Sequence, residues 1–194
     1  PLELGDCHFA PGDDAKILDT LTDPAIVSLR PLDAGWSVDG LISRLATAAP
    51  PYHALIDTGA LVTGYSNQQV AAALLAAGLS EMDGCVFLDA EDRQMIMLRA
   101  GGKVLPLSQA GIPWHRRFTF YDQVHTTGMD IPQAAGARAV LTLGKDLVFR
   151  DYAQAAYRMR GIGKGQTLVL FVTPEVLRLV RTQARRAATR RTPH

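Results

Sequence analysis

The chain holds too little cysteine for a covalent scaffold. Cys7 and Cys85 are the only two in 194 residues, which gives no disulfide framework, and no His/Cys/Asp/Glu grouping has zinc-ligand spacing, so no metal site is expected. That usage fits a reducing compartment, and a cytoplasmic location is expected. Long apolar runs are missing as well. No segment reaches the roughly 20 residues that span a bilayer and no signal peptide opens the chain, so no membrane contact is expected. Aromatic residues are only 7%, yet apolar residues reach 47%, ample for a core. An initiator Met is absent too: the chain opens on Pro1 and is expected to be part of something longer.

Charge of one sign is missing from one stretch. Residues 178–194 carry six arginines and no acid, so the net +1 of the chain leaves −5 for the remainder. One domain over 1–177 with a basic helix or tail over 178–194 is the expected organisation. A basic tail on a mildly acidic body suits a nucleic-acid or acidic-protein contact, or a solvated terminus with no specific role.

Short β-rich runs alternate with helical patterns. AIVSL (25–29), HALIDTG (53–59), GCVFLDAED (84–92), RFTFYDQ (117–123), ARAVLTLG (137–144) and TLVLFVT (167–173) read as strands. WSVDGLISRLATA (36–48) reads as a helix capped by Ser37, and SNQQVAAALLAAGL (66–79) as a helix with a Ser66/Gln69 capping box and Gly78 as its stop. DYAQAAYRMR (151–160) reads as a helix that Asp151 caps and Gly161 ends, and a last helix starts at Pro174. QMIMLRAGGKVLPL (94–107) reads as a hairpin about Gly101-Gly102. Strands that are near-continuous apolar runs imply a mostly parallel sheet with helices on both faces, an α/β three-layer sandwich. Ligands of such sheets sit at the carboxyl ends of strands. That singles out Asp57-Thr58-Gly59, Asp122 to Asp130, and Gly144-Lys145-Asp146.

Two segments carry the chemistry. In HTTGMDIPQ (125–133), Thr127 and Asp130 set a hydroxyl and a carboxylate beside Gly128, just past a strand. In RDYAQAAYRMRGIGKGQ (150–166), Gln154 and Arg158 lie four apart, on one face of the expected helix, with Arg160 near the glycine exit. An arginine so placed can stabilise charge on a transferring phosphoryl group, an effect of about 10³ to 10⁵ in rate. GIGKGQT (161–167) is no phosphate loop, because it lies between a helix and a strand and has Gly165 where Ser or Thr follows the lysine.

These segments resemble superfamily-two helicases. TTGMDIPQ looks like motif V and QAAYRMR like motif VI, whose general form is Q-x-x-G-R-x-x-R; HALIDTG with its following helix resembles motif IV. The likeness runs over about residues 25–180. More narrowly, HALIDTGAL with RDYAQAAYRMRGIGKGQ resembles the C-terminal region of long helicase-like proteins often labelled ubiquitin hydrolase. The resemblance implies a second RecA-like lobe of the P-loop NTPase fold. In it Gln154, Arg158 and Arg160 would face ATP phosphates, while Thr127, Gly128 and Asp130 would couple nucleotide state to nucleic acid or protein remodelling. ATP and Mg²⁺ would be held mainly by a first lobe of the same longer protein. This chain alone would hold no cofactor tightly and would be inactive, having no Walker loop. Residues 178–194 are a further candidate contact for nucleic acid. The family's second Arg falls on Gly161 here, and Tyr157 stands at the small-residue position. Three options follow: a distorted helix end presents Arg160, Arg158 acts alone, or the site is degenerate.

The family's label prompts a competing reading, a cysteine-type deubiquitinating hydrolase with Cys7 or Cys85 as nucleophile and His115 or His125 as base. A non-catalytic binding module is the third. The acidic run Asp89, Glu91, Asp92 reads as a solvated turn or a Mg²⁺ site.

Overall fold

The computed structural model describes residues 12–126 and 130–190. Its framework is one sheet of eight strands: β1 (Val27–Pro31), β2 (Ala54–Ile56), β3 (Gly84–Leu88), β4 (Gln94–Leu98), β5 (Val104–Pro106), β6 (Arg117–Tyr121), β7 (Arg138–Leu143) and β8 (Thr167–Val172). Across the sheet they run β1-β8-β7-β2-β6-β3-β4-β5. The first six in that order pair in parallel, and β3-β4 and β4-β5 pair antiparallel. The helices are α1 (Asp13–Thr22), α2 (Val38–Ala46), α3 (Asn67–Ala77), α4 (Phe149–Ala156) and α5 (Pro174–Arg190).

Strand alternation divides the core into two layers, as a sheet covered on both faces requires. Leu55, Cys85, Phe118, Phe120, Val140 and Phe171 point toward α2 and α3. Ala54, Ile56, Val86, Tyr121, Leu141 and Leu168 point toward α1 and α4. The three-layer α/β sandwich expected from the sequence is the fold observed.

Local signals account for the best-defined helices. Ser37 Oγ accepts the Gly40 N–H at 3.1 Å to start α2. The capping box of α3 is complete: Ser66 N–H donates to Gln69 Oε1 at 2.8 Å and Gln69 N–H to Ser66 Oγ at 3.3 Å. The hairpin β4-β5 turns through Gly101 and Gly102, both at positive φ (77° and 65°), the backbone that a two-glycine turn supplies cheaply.

α4 differs from expectation. It starts at Phe149 and stops at Ala156, so Asp151 sits in its first turn rather than at the cap, accepting the Val148 N–H at 3.4 Å. Past Ala156 the backbone tightens: Arg158 N–H and Met159 N–H donate to Ala155 O and Ala156 O, each at 3.0 Å, three residues back instead of four. α1 has no counterpart in the sequence reading. No helix among the described residues is long and apolar enough to cross a membrane.

Candidate active site at the carboxyl edge of the sheet

The strand order reverses around β2. The crossover from β2 passes over the α3 face toward β3, whereas the crossover from β7 passes over the α4 face toward β8. Between the carboxyl ends of β2 and β7 neither crossover covers the edge, which is where open α/β sheets hold ligands. A cleft of about 380 Å³ lies there, walled by Thr58 and Gly59 after β2, Gln123 and Thr126 after β6, and Gly144 to Leu147 after β7. The three loops singled out in the sequence thus meet in one place.

A buried polar relay holds the cleft's shape. Thr142, fully buried on β7, donates its hydroxyl to Asp57 Oδ1 at 2.7 Å and accepts the Gly59 N–H at 2.9 Å. Asp57 also accepts the N–H groups of Leu61 (3.0 Å) and Val62 (2.9 Å), which fixes the loop that follows β2. Burial pushes the Asp57 carboxyl up, against the opposing pull of the Thr142, Val62 and Leu61 hydrogen bonds. Gly59 is required by contact rather than by torsion: a Cβ there would lie 2.8 Å from Leu143 C and 2.9 Å from Gly144 N. The Thr58 hydroxyl, on a residue only 8% exposed, has no hydrogen-bond partner among the described residues. Lys145 stands exposed at the rim with Asp146.

Away from the cleft, the two motif-like segments come together on the α4 face. Arg160 Nε donates to Asp130 Oδ1 at 3.2 Å, and Gln94 Nε2 donates to the Asp130 carbonyl, also at 3.2 Å. Arg158 is half-buried, and its charge acts on the phenol of Tyr121, which burial raises to about 12 against that pull. Gln154 is exposed on α4. Because α4 ends at Ala156, Gln154 and Arg158 do not share a helix face, which corrects the spacing argument made from the sequence. Thr127 and Gly128 lie outside the described residues. None of Gln154, Arg158, Arg160 and Asp130 lines the cleft at the strand ends.

Gly161, where the resemblance would place a second arginine, is fixed from both sides. Its N–H donates to Gln166 Oε1 at 2.8 Å, and Gln166 Nε2 donates to Ala134 O at 2.8 Å. A Cβ on Gly161 would stand 3.0 Å from Gln166 Cδ. The GIGKGQ segment is therefore a closed turn from α4 to β8.

Among the described residues, the groups of the cysteine-hydrolase reading are not assembled. Cys85 is fully buried in β3, facing α3, and burial drives its thiol far from ionisation, so it is a core residue and not a nucleophile. Cys7 lies outside the described residues. His115 is exposed just before β6 and His125 follows its far end, at opposite edges of the sheet. His125 is clamped: Nδ1 meets Asp122 Oδ1, and Nε2 lies 2.8 Å from Asp92 Oδ1. Burial alone would lower its pKa, but the hydrogen bonds and charges of Asp92 and Asp122 together hold it above 6.5. With both nitrogens engaged it is not poised as a free base. The neighbouring acids are likewise committed, Asp89 and Glu91 to Arg93 at 2.7 and 2.9 Å.

Residues 178–190 of the basic segment lie in α5, which starts at Pro174 as the sequence reading expected; 191–194 lie outside the described residues. From Arg178 to Thr189 every described residue is exposed.

No family model matches the chain, and neither a curated protein nor a solved structure does.

Proposed function

We propose that this domain is the second lobe of a helicase-like ATPase, presenting Arg158 and Arg160 to nucleotide phosphates held mainly by a partner lobe. The observation that carries the reading is the Asp130–Arg160 contact at 3.2 Å. It joins the segment that resembles the coupling motif to the one that resembles the arginine motif, on a sheet of the matching class. Both side chains are more than half exposed (60% and 57%), so an exchange of partners at Arg160 costs little. In this scheme Asp130 neutralises Arg160 while no phosphate is near, and a γ-phosphate takes its place. Arg158, held inward beside Tyr121, supplies a second and less mobile positive charge. Preorganised guanidinium groups of this kind stabilise the charge that builds up on a transferring phosphoryl group. Mg²⁺ would be held by the partner lobe and the phosphates. The chain alone would bind ATP weakly and would not hydrolyse it.

The cleft between β2 and β7 supports a second reading, a small-molecule or backbone-binding site, because the loops after β2, β6 and β7 wall a polar cavity there. One experiment separates the two. The isotopically labelled chain is titrated with MgATP and its amide shifts are followed by NMR. Saturable shifts near Tyr121, Asp130, Arg158 and Arg160, lost in Arg158→Ala and Arg160→Ala, support the lobe reading. Shifts confined to Thr58, Gly59 and Lys145 favour the cleft, and a flat titration would sink the ATP role.

A further inference from the structure

We propose that the groove between α5 and the first turn of α4 is a docking site for an acidic amphipathic helix of a partner protein. This inference is independent of the ATPase reading. The groove encloses about 760 Å³ at the carboxyl edge of the sheet. Val148 and Phe149 form one wall; Leu179 and Val180, with Val176 beneath them, form the other. Nine large apolar side chains are exposed among the described residues, and four of them meet here: Val148 (53%), Phe149 (48%), Leu179 (43%) and Val180 (47%). Single exposed apolar residues are ordinary on a soluble surface, but a concave cluster of them marks an interaction site.

Charge selects the occupant. Helical spacing puts Val176, Leu179, Val180 and Ala184 on one stripe of α5, with Arg186 along one border and Arg181 and Arg185 farther round the helix. Arg178 pairs with Glu175 at 3.4 Å, whereas Arg181, Arg185 and Arg186 have no ion pair among the described residues. An apolar trough with Lys145 in its lining, Arg186 at its border and further unneutralised arginines round the same helix is complementary to a helix with a leucine-type stripe and carboxylates beside it, the helix-in-groove mode of recognition. A nucleic acid would satisfy the arginines but leave the trough uncovered. A membrane would need a convex apolar face, and this one is concave. A second copy docking through its own α5 would bring like charge against like charge.

Position gives the contact a consequence. Gly144, Lys145, Asp146 and Leu147 wall both this groove and the cleft between β2 and β7. A helix seated in the groove would therefore press on a loop that shapes the cleft.

The test uses the 194-residue chain and a fluorescein-labelled peptide of about 18 residues, long enough for five helical turns. The peptide carries leucines at i, i+3, i+4 and i+7 with glutamates on either side. Anisotropy should show saturable binding that falls at least about tenfold, roughly 1.4 kcal/mol, in Leu179→Asp/Val180→Asp. A similar loss is expected in Arg181→Glu/Arg186→Glu. These side chains lie on an exposed helix, and circular dichroism checks that each variant folds. No binding, or equal binding of a scrambled peptide of the same composition, overturns the proposal. So does an oligonucleotide, an anionic phosphatidylserine vesicle or a self-association that Leu179→Asp/Val180→Asp abolishes while peptide binding is absent.

Discussion

Replacing Thr142 by valine tests whether the relay behind the cleft holds that edge of the sheet together. Valine keeps the shape of the side chain, so no cavity opens, and the change isolates the hydroxyl. Two things are lost at once. Asp57 Oδ1 loses the donor at 2.7 Å, and the Gly59 N–H loses the acceptor at 2.9 Å. A hydrogen bond to a charged group contributes about 1.5–3 kcal/mol, and a stranded buried N–H costs about 1–3. The two overlap, since a relaxing loop recovers part of each, so the expected destabilisation is about 2–4 kcal/mol. With a urea slope of about 2 kcal/mol per molar, the unfolding midpoint drops by roughly 1–2 M. Amide exchange at Leu61 and Val62, whose N–H groups bond Asp57, should speed up with it.

The same variant carries a pH signature. Burial raises the Asp57 carboxyl above its ordinary 3.8, so the native state binds more protons than the unfolded state just above that value. Stability from this group is therefore greatest at the acid end and is lost as pH rises through the folded pKa. The Thr142 hydroxyl is the strongest of the hydrogen bonds that hold the carboxyl down. Removing it lifts the folded pKa further, so the penalty of Thr142→Val should grow with pH and level off above that pKa. A loss under about 0.5 kcal/mol at neutral pH, within the range of an inert surface change, would refute the relay. A penalty that shrank as pH rose would refute the charge account of it.

Other perturbations follow from single contacts. Ser66→Ala removes the hydroxyl that accepts the Gln69 N–H and should cost about 1 kcal/mol, a fall of roughly 2–4 °C in Tm; an unchanged melt would mean that packing alone starts α3. His125 has a raised pKa, so its clamp between Asp92 and Asp122 contributes fully below 6.5 and fades as pH climbs through the folded value. His125→Gln should flatten the stability profile across that window, and an unaltered slope in urea unfolding would exclude the clamp. Cys85, in a Cys7→Ser background, should resist an aromatic disulfide reagent in the native state and react on unfolding; rapid native labelling would return it to the list of nucleophiles.

Legibility in the sequence followed the range of the interactions. The α3 capping box, the Ser37 cap and the Gly101-Gly102 turn are satisfied within a few residues, and each is written out in the chain. α1 is the opposite case. Its Ncap is Gly12, with no side-chain cap, and its apolar face is Ile17 and Leu21. It forms against α4, where Tyr152 donates its hydroxyl to Leu21 O at 3.2 Å, a contact across 131 residues. The strand-end loops were identifiable from the α/β pattern alone. Their shared scaffold was not, because Thr142 and Asp57 are 85 residues apart and meet only through the order β7-β2. The His125 clamp reaches across 33 residues to Asp92 in the same way.

The arginine segment shows how a motif's spacing depends on the geometry assumed for it. Counting along a regular helix sets Arg158 beside Gln154 and makes Arg160 one place early. Gln154 is exposed, so an unbroken helix would expose Arg158 as well. Instead the chain tightens after Ala156, Met159 is fully buried, and Arg158 turns half inward toward Tyr121. The same tightening leaves Arg160 outside, within reach of Asp130. The position of Arg160 is therefore set by this turn and not by a continuing α-helix. Gly161 then has a different reason to be glycine: Gln166 holds its N–H and fills the space where a side chain would begin. The chain thus leaves α4 through a turn that Gln166 closes, and Arg160 stays on its outer side, paired with Asp130 at 3.2 Å.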